Sequence, residues 1–201
     1  MTFQPALHTI ILSVPDPIRS WRGRRHVSAL SRLARAAARL SARKSGALLG
    51  PLAKSSDGVP LPSNGWHWSV AHKPDYVAGV VGPGPLGVDI EPLRKRSPSL
   101  FAKVAGPAEW DLGKESEWRL FYRFWTAKEA VLKAVGMGMR GLSECRVICI
   151  DGDFDLTLSF RGHPWAVCQS FQYGHWAAVA SSGHPPVSWH WPGQAPKAPA
   201  A

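Results

Sequence analysis

Apolar residues recur along this chain with two different periods, and each period predicts a different kind of element. Short apolar runs mark strands at 7–14 (LHTIILSV), closed by Pro15 and Pro17, and at 66–72, 76–81 and 86–90. A helical period predicts a helix from about His26 to Lys44. Its Leu30, Leu33, Ala37 and Leu40 share one face, and Arg32, Arg35, Arg39 and Arg43 line the other. Residues 58–65 are a loop punctuated by Pro and Gly. Residues 97–105 predict a short helix stopped by Gly106-Pro107. A longer helix over about 115–135 carries Leu120, Phe121, Phe124, Val131, Leu132 and Val135, with Gly136 as its stop. Four further runs, at 146–150, 154–160, 165–171 and 176–180, predict an antiparallel meander.

This order of elements predicts an α+β chain with two roughly similar halves, 1–85 and 86–183, although no sequence repeat marks a duplication. From 184 to 201 the chain is rich in Pro and Ala and is expected to be disordered, with Trp189 and Trp191 able to pack against the body. At 201 residues, 45% hydrophobic and 19% charged, the chain can bury a substantial core.

The formal charge of +10 changes the picture, because a basic surface favours a polyanionic partner: nucleic acid, anionic membrane, phosphorylated cofactor or acidic protein. No acidic residue lies between Asp16 and Asp57, so the arginine face is either simply solvated or a docking surface. The run around Ile10–Leu12 is too short to span a membrane, and no basic residue precedes Arg19 to make it a signal peptide. A cytoplasmic protein with no membrane partner is expected. Cys145, Cys149 and Cys168 lack metal-type spacing, and each is expected to be a buried free thiol.

Two stretches carry candidate chemistry. In GVDIEPLRKR (87–96), Asp89 and Glu91 stand two apart on a strand, so their carboxylates leave the same face. Paired hard oxygens suit Mg²⁺, which takes few protein ligands and keeps places for phosphate and water. Taken alone, the pair reads more simply as the solvated face of an edge strand. In FWTAKEAVLKAVGMG (124–138), Glu129 and Lys133 lie one helical turn apart among apolar neighbours. Alone this is a surface ion pair; on a packed helix the carboxylate can meet metal or a proton, and the ammonium phosphate.

Together, G-V-D-I-E followed by F-W-T-A-K-E-A-x-x-K-A-x-G-x-G resembles the 4'-phosphopantetheinyl transferase superfamily. The length and motif positions are similar to the single-chain, pseudo-dimeric type that activates peptide and polyketide synthase carrier domains. The resemblance is strongest from Trp66 to Leu142. It implies two similar α+β halves packed as a pseudo-dimer, and transfer of the 4'-phosphopantetheine arm of coenzyme A to a carrier serine. It also implies Mg²⁺ as cofactor and coenzyme A as co-substrate. Asp89, Glu91 and Glu129 match the metal-binding acids, Glu129 also acting on the acceptor serine; Lys133 matches the catalytic lysine that contacts coenzyme A phosphate.

His72, in WSVAHKPD, aligns with the phosphate-binding histidine of the family's N-x-S-H-S segment. That segment has Ser69 and Ala71 in place of Asn and Ser here, and Lys73 in place of the last Ser, where it can add a phosphate contact. The upstream G-K-P is Gly58-Val59-Pro60, without its lysine, and Arg24 and Arg25 are phosphate candidates by location only. The expected partner is an acidic acyl or peptidyl carrier protein, met by a monomer. Two other classes fit the residues less well. A nucleic-acid-binding protein using the arginine face leaves the carboxylates unused, and nuclease D…E-x-K sites space their lysine two residues from the carboxylate, not four.

Overall fold

The computed structural model describes residues 6–193. Strand β1 (Leu7–Ser13) is followed by a single turn, α1 (Asp16–Arg19), opened by Pro15 and Pro17, and by the long helix α2 (Gly23–Lys44). After a loop come β2 (His67–His72), β3 (Tyr76–Gly82) and β4 (Leu86–Pro92). The expected short helix is a 3₁₀ turn (Pro98–Leu100) running into α3 (Phe101–Val104), and a further turn, α4 (Pro107–Trp110), starts at the proline that ends it. Helix α5 (Glu117–Ala134) ends at Gly136, whose φ of +69° serves as the stop. A 3₁₀ segment (Gly138–Glu144) then leads into β5 (Cys145–Ile150), β6 (Asp155–Phe160), β7 (His163–Gln172), β8 (His175–Ser181) and β9 (Val187–His190).

The chain is α+β, with two sheets. The first has the order β2-β3-β1-β9 and the second β4-β8-β7-β6-β5. Alternation along the strands sorts their side chains between layers. Ile10, Val14 and Val77 face α2, while Leu7, Ile11, Ala78 and Val80 face Val88, Ile90, Ala177 and Val179 of the second sheet. Helix α5 covers the second sheet's other side through Phe124, Val131 and Leu132 against Leu156, Leu158 and Trp176. The layers thus run α2, first sheet, second sheet, α5.

Three expectations need correction. Residues 187–190, placed in a disordered tail, form a strand parallel to β1, paired from Leu7↔Val187 to Ile10↔His190. Trp191 is buried beneath it and donates to Ser170 Oγ, so burial of an indole outweighs the tail's Pro-rich composition; residues 194–201 lie outside the described residues. Leu40 is 38% exposed, because the sheet covers Ala34, Ala37, Ala38 and Ser41 instead. Cys149 is exposed, since the register of β5 shifts between Val147 and Cys149 and breaks the alternation. Cys145 is buried, and burial pushes its thiol up to about 12, so it is inert at neutral pH.

Candidate active site

The site begins where α5 crosses β4. A β-carbon on Gly87 would sit 1.9 Å from the Ala130 carbonyl oxygen, so only glycine lets the helix come this close. That approach sets the side chains of α5 over the outward face of β4, from which Asp89 and Glu91 project. Lys133 therefore does not form a lateral pair along its own helix. Its ammonium donates to Asp89 Oδ1 at 2.7 Å and to the Val88 carbonyl at 3.0 Å, tying helix to strand.

Asp89 is 3% exposed, and its second oxygen is buried with no hydrogen-bond partner. Burial, reinforced by neighbouring Glu91 and opposed by Lys133, holds its carboxyl above the ordinary value. Glu129 is raised too, by burial first and then by the Asp89 charge. Glu91 is 8% exposed; its Oε1 lies 2.5 Å from Lys73 Nζ and accepts from the Trp125 indole at 3.0 Å. Among the described residues no three His, Cys, Asp or Glu side chains are gathered as a ready-made metal cage. Two of the three candidate carboxylates are instead paired with lysines. The donor set still fits a hard cation: an orphaned buried Asp89 oxygen lies near the Glu91 and Glu129 carboxylates, and acidic neighbours help hold the Asp89 and Glu129 carboxyls above their ordinary values.

Basic side chains from the first sheet's side gather near Lys133. His72, half-buried at the end of β2, is held below the usual imidazole value by burial and then by Lys133, Lys73, Lys54 and His26. Lys54 is lowered as well, by burial and then by Arg35 and Lys133. Like charges drawn together in this way suit a phosphorylated ligand. Lys54 escaped the sequence reading. It bridges to Pro60 across the turn that contains Val59, where the family's segment has its lysine, so it is a lysine of that turn by fold and not by alignment. The turn packs against the end of α5, closing a cleft of about 330 Å³ lined by Lys54, Val59, Ser69, Lys133, Gly136 and Arg140.

The other sequence candidates are placed as follows. Arg24 and Arg25 are exposed in the first turn of α2, with the Arg25 guanidinium 3.8 Å from the centre of the Trp21 ring; the residue of that turn felt by His72 is His26. Ser69, standing where the family has Asn, accepts from the Val88 N–H and stitches β2 to β4. Lys128 of the T-A-K-E run, not singled out from sequence, is buried. It donates to the Val104 carbonyl at 2.7 Å and pairs with Glu109 at 2.6 Å, pinning α5 to the α3–α4 segment.

A family model for the 4'-phosphopantetheinyl transferase superfamily matches residues 85–186, half of the chain, including the β4 and α5 segments described above. The chain belongs to this superfamily. The 4'-phosphopantetheinyl transferase HetI of Nostoc sp. is 38% identical over 68 residues, which is 31% of this chain and 29% of that protein. The 4'-phosphopantetheinyl transferase psf-1 of Bacillus pumilus is 31% identical over 113 residues, 53% of this chain and 48% of its own. The 4'-phosphopantetheinyl transferase gsp of Aneurinibacillus migulanus is 26% identical over 90 residues, 43% of this chain and 38% of its own. The matched stretches thus span less than half the length of these superfamily relatives. Among the described residues no helix is long and apolar enough to cross a membrane.

Proposed function

We propose that the chain transfers the 4'-phosphopantetheine arm of coenzyme A to a serine of an apo acyl or peptidyl carrier protein, releasing adenosine 3',5'-bisphosphate. The observation that carries the reading is the gathering of acidic and basic groups around Lys133. Its ammonium binds the buried Asp89, which keeps a free oxygen, and its charge is felt by both His72 and Lys54. Acids alone would hold a cation and cations alone an anion; a pyrophosphate with its divalent metal needs both.

On this reading the serine Oγ forms a bond to the phosphorus next to pantetheine, and the bridging P–O bond of the pyrophosphate breaks. Glu129, whose carboxylate is made more basic by burial and by Asp89, takes the serine proton or fixes the hydroxyl in line. Lys133 offsets charge on the leaving phosphate, and His72 and Lys54 hold the phosphates of the cofactor in the cleft. Mg²⁺, when bound by Asp89 and Glu129, with Glu91 beside them, supplies positive charge to the pyrophosphate as its bond breaks.

Residues 1–85 and 86–183 serve as the two halves of a pseudo-dimer that works as a cytoplasmic monomer. The +10 charge steers an acidic carrier to it, with neither membrane nor nucleic acid as partner. The test is to incubate the protein with coenzyme A, Mg²⁺ and several apo-carrier domains and to weigh the carriers intact. A gain of about 340 Da, the cofactor-carried group, is expected, and its absence from every carrier would overturn the proposal.

A further inference from the structure

The two acids of the D-x-E pair are not equivalent. Asp89 shares one oxygen with Lys133 and keeps the other free of any hydrogen bond. Glu91, its neighbour on the same face of β4, has its Oε1 taken twice, by the Lys73 ammonium at 2.5 Å and by the Trp125 indole at 3.0 Å. Lys73 comes from the end of β2, on the sheet that faces β4, and its side chain is largely covered, as is that of Glu91. Such a pair does not exchange its partner cheaply, because the Glu91 charge left alone would stay buried and uncompensated.

We propose that Lys73 is a resident counter-cation that withdraws Glu91 from metal binding and so sets the affinity of the site for a divalent ion. The metal is then held by Asp89 and Glu129, within the one or two carboxylates that suffice for Mg²⁺ when phosphate and water complete its shell. Lys73 is a positioning residue here, acting on the metal through Glu91. The inference rests on the reading of the site as one that takes a divalent cation with coenzyme A.

Charge arithmetic separates this arrangement from one in which Glu91 ligates the metal. Lys73→Gln leaves Glu91 unpaired and adds one net negative charge beside the site. Lys73→Gln combined with Glu91→Gln restores the neutral sum of the parent while removing the Glu91 carboxylate. The measurement is Mn²⁺ binding to the full chain without coenzyme A, by paramagnetic resonance of free Mn²⁺ and by calorimetry. Lys73→Gln is expected to bind Mn²⁺ about tenfold more tightly. The double variant is expected to stay within about threefold of the parent, because the ligands proposed for the metal are untouched.

A Lys73→Gln protein that binds Mn²⁺ no more tightly than the parent overturns the inference. So does a double variant that loses the ion as completely as Asp89→Asn. Asp89→Asn also tells the two levels apart: if it binds Mn²⁺ like the parent, the metal reading itself fails, and this inference falls with it. Lys73→Ser, which restores the family's hydroxyl, repeats the test with a smaller side chain, and melting curves confirm that each variant is folded.

Discussion

Helix α2 lies on the first sheet as α5 lies on the second, and in both places a strand glycine admits the helix backbone. A β-carbon on Gly79 would come within 2.3 Å of the Ala38 nitrogen, as one on Gly87 would of Ala130. The contents differ. Helix α2 buries Ala29, Ala34, Ala37, Ala38 and Ala42, whereas α5 buries Phe121, Tyr122, Phe124 and Leu132 together with Arg123 and Lys128. The chemistry divides in the same way. Asp89, Glu91 and Glu129 all belong to the second unit, and Lys54, His72 and Lys73 to the first, with Lys133 reaching between helix and strand. One plan of helix on sheet thus serves twice, with the acids on the second sheet's side and basic side chains on the first.

The sharpest way to break this comparison is to remove one charge from each side. Glu129→Gln keeps size and should slow single-turnover transfer by about 10²–10⁴-fold with an unchanged melting curve. Lys54→Gln should instead weaken coenzyme A binding, measured by calorimetry, by about 1–3 kcal/mol for a lost charge-assisted contact, while saturating cofactor recovers most of the rate. If Lys54→Gln stops turnover as completely as Glu129→Gln, the division between chemistry and binding is wrong.

The glycine pair gives the next largest effect. Gly79→Ala and Gly87→Ala should each cost about 1–3 kcal/mol or more in urea unfolding, since a helix backbone must be pushed away in both. Only Gly87→Ala should also lower the rate of the protein that remains folded, because it displaces Lys133 from Asp89. Equal losses per folded molecule would show that the two contacts matter alike to the site.

Smaller effects sharpen the first unit's role. Reversing Arg32 and Arg39 on the outer face of α2 should raise the KM for an acidic carrier several-fold at low salt and leave that for coenzyme A little changed. High salt should erase the difference; a loss shared by both substrates would place this face at the cofactor instead. Last comes acid stability. Burial and nearby Lys44 hold His8 and His190 below the usual imidazole value, with His8 acting on His190 as well. The unfolded chain then takes up protons first, so stability is complete above about pH 6.5 and declines as pH falls through the lowered folded values. His8→Asn with His190→Asn should flatten that decline in urea titrations, leaving the part due to His72. An unchanged slope would show that the pair does not contribute.

Most of the strands and both long helices were legible because each repeats a period tied to one covered face. The acids and Lys133 stood out only as a combined motif resembling the superfamily's, since each pair alone reads as a solvated strand face or a surface ion pair. What local pattern does not carry is apposition. The partner of Lys73 is decided by how β2 meets β4, and that of Lys133 by the depth to which α5 sinks over Gly87. Lys54 sits in a loop with no period, and its relevance depends on the turn folding it back beside Pro60. Leu40 was misread because helical spacing identifies a stripe but not which part of it the sheet covers.

The parallel pairing of β9 with β1 has a consequence for the order in which the molecule is built. His8 touches His190, 182 residues further along, so the first sheet is completed by the last described strand to be synthesised. At ribosomal speed, β1 waits on the order of ten seconds for its outer neighbour. The strands of the second sheet from β5 to β8 follow one another in sequence and pair as they emerge, with little loop-closure entropy to overcome. Strand β4, which carries Asp89 and Glu91, waits in the same way for β8, so both sheets are completed by the last two described strands, β8 and β9.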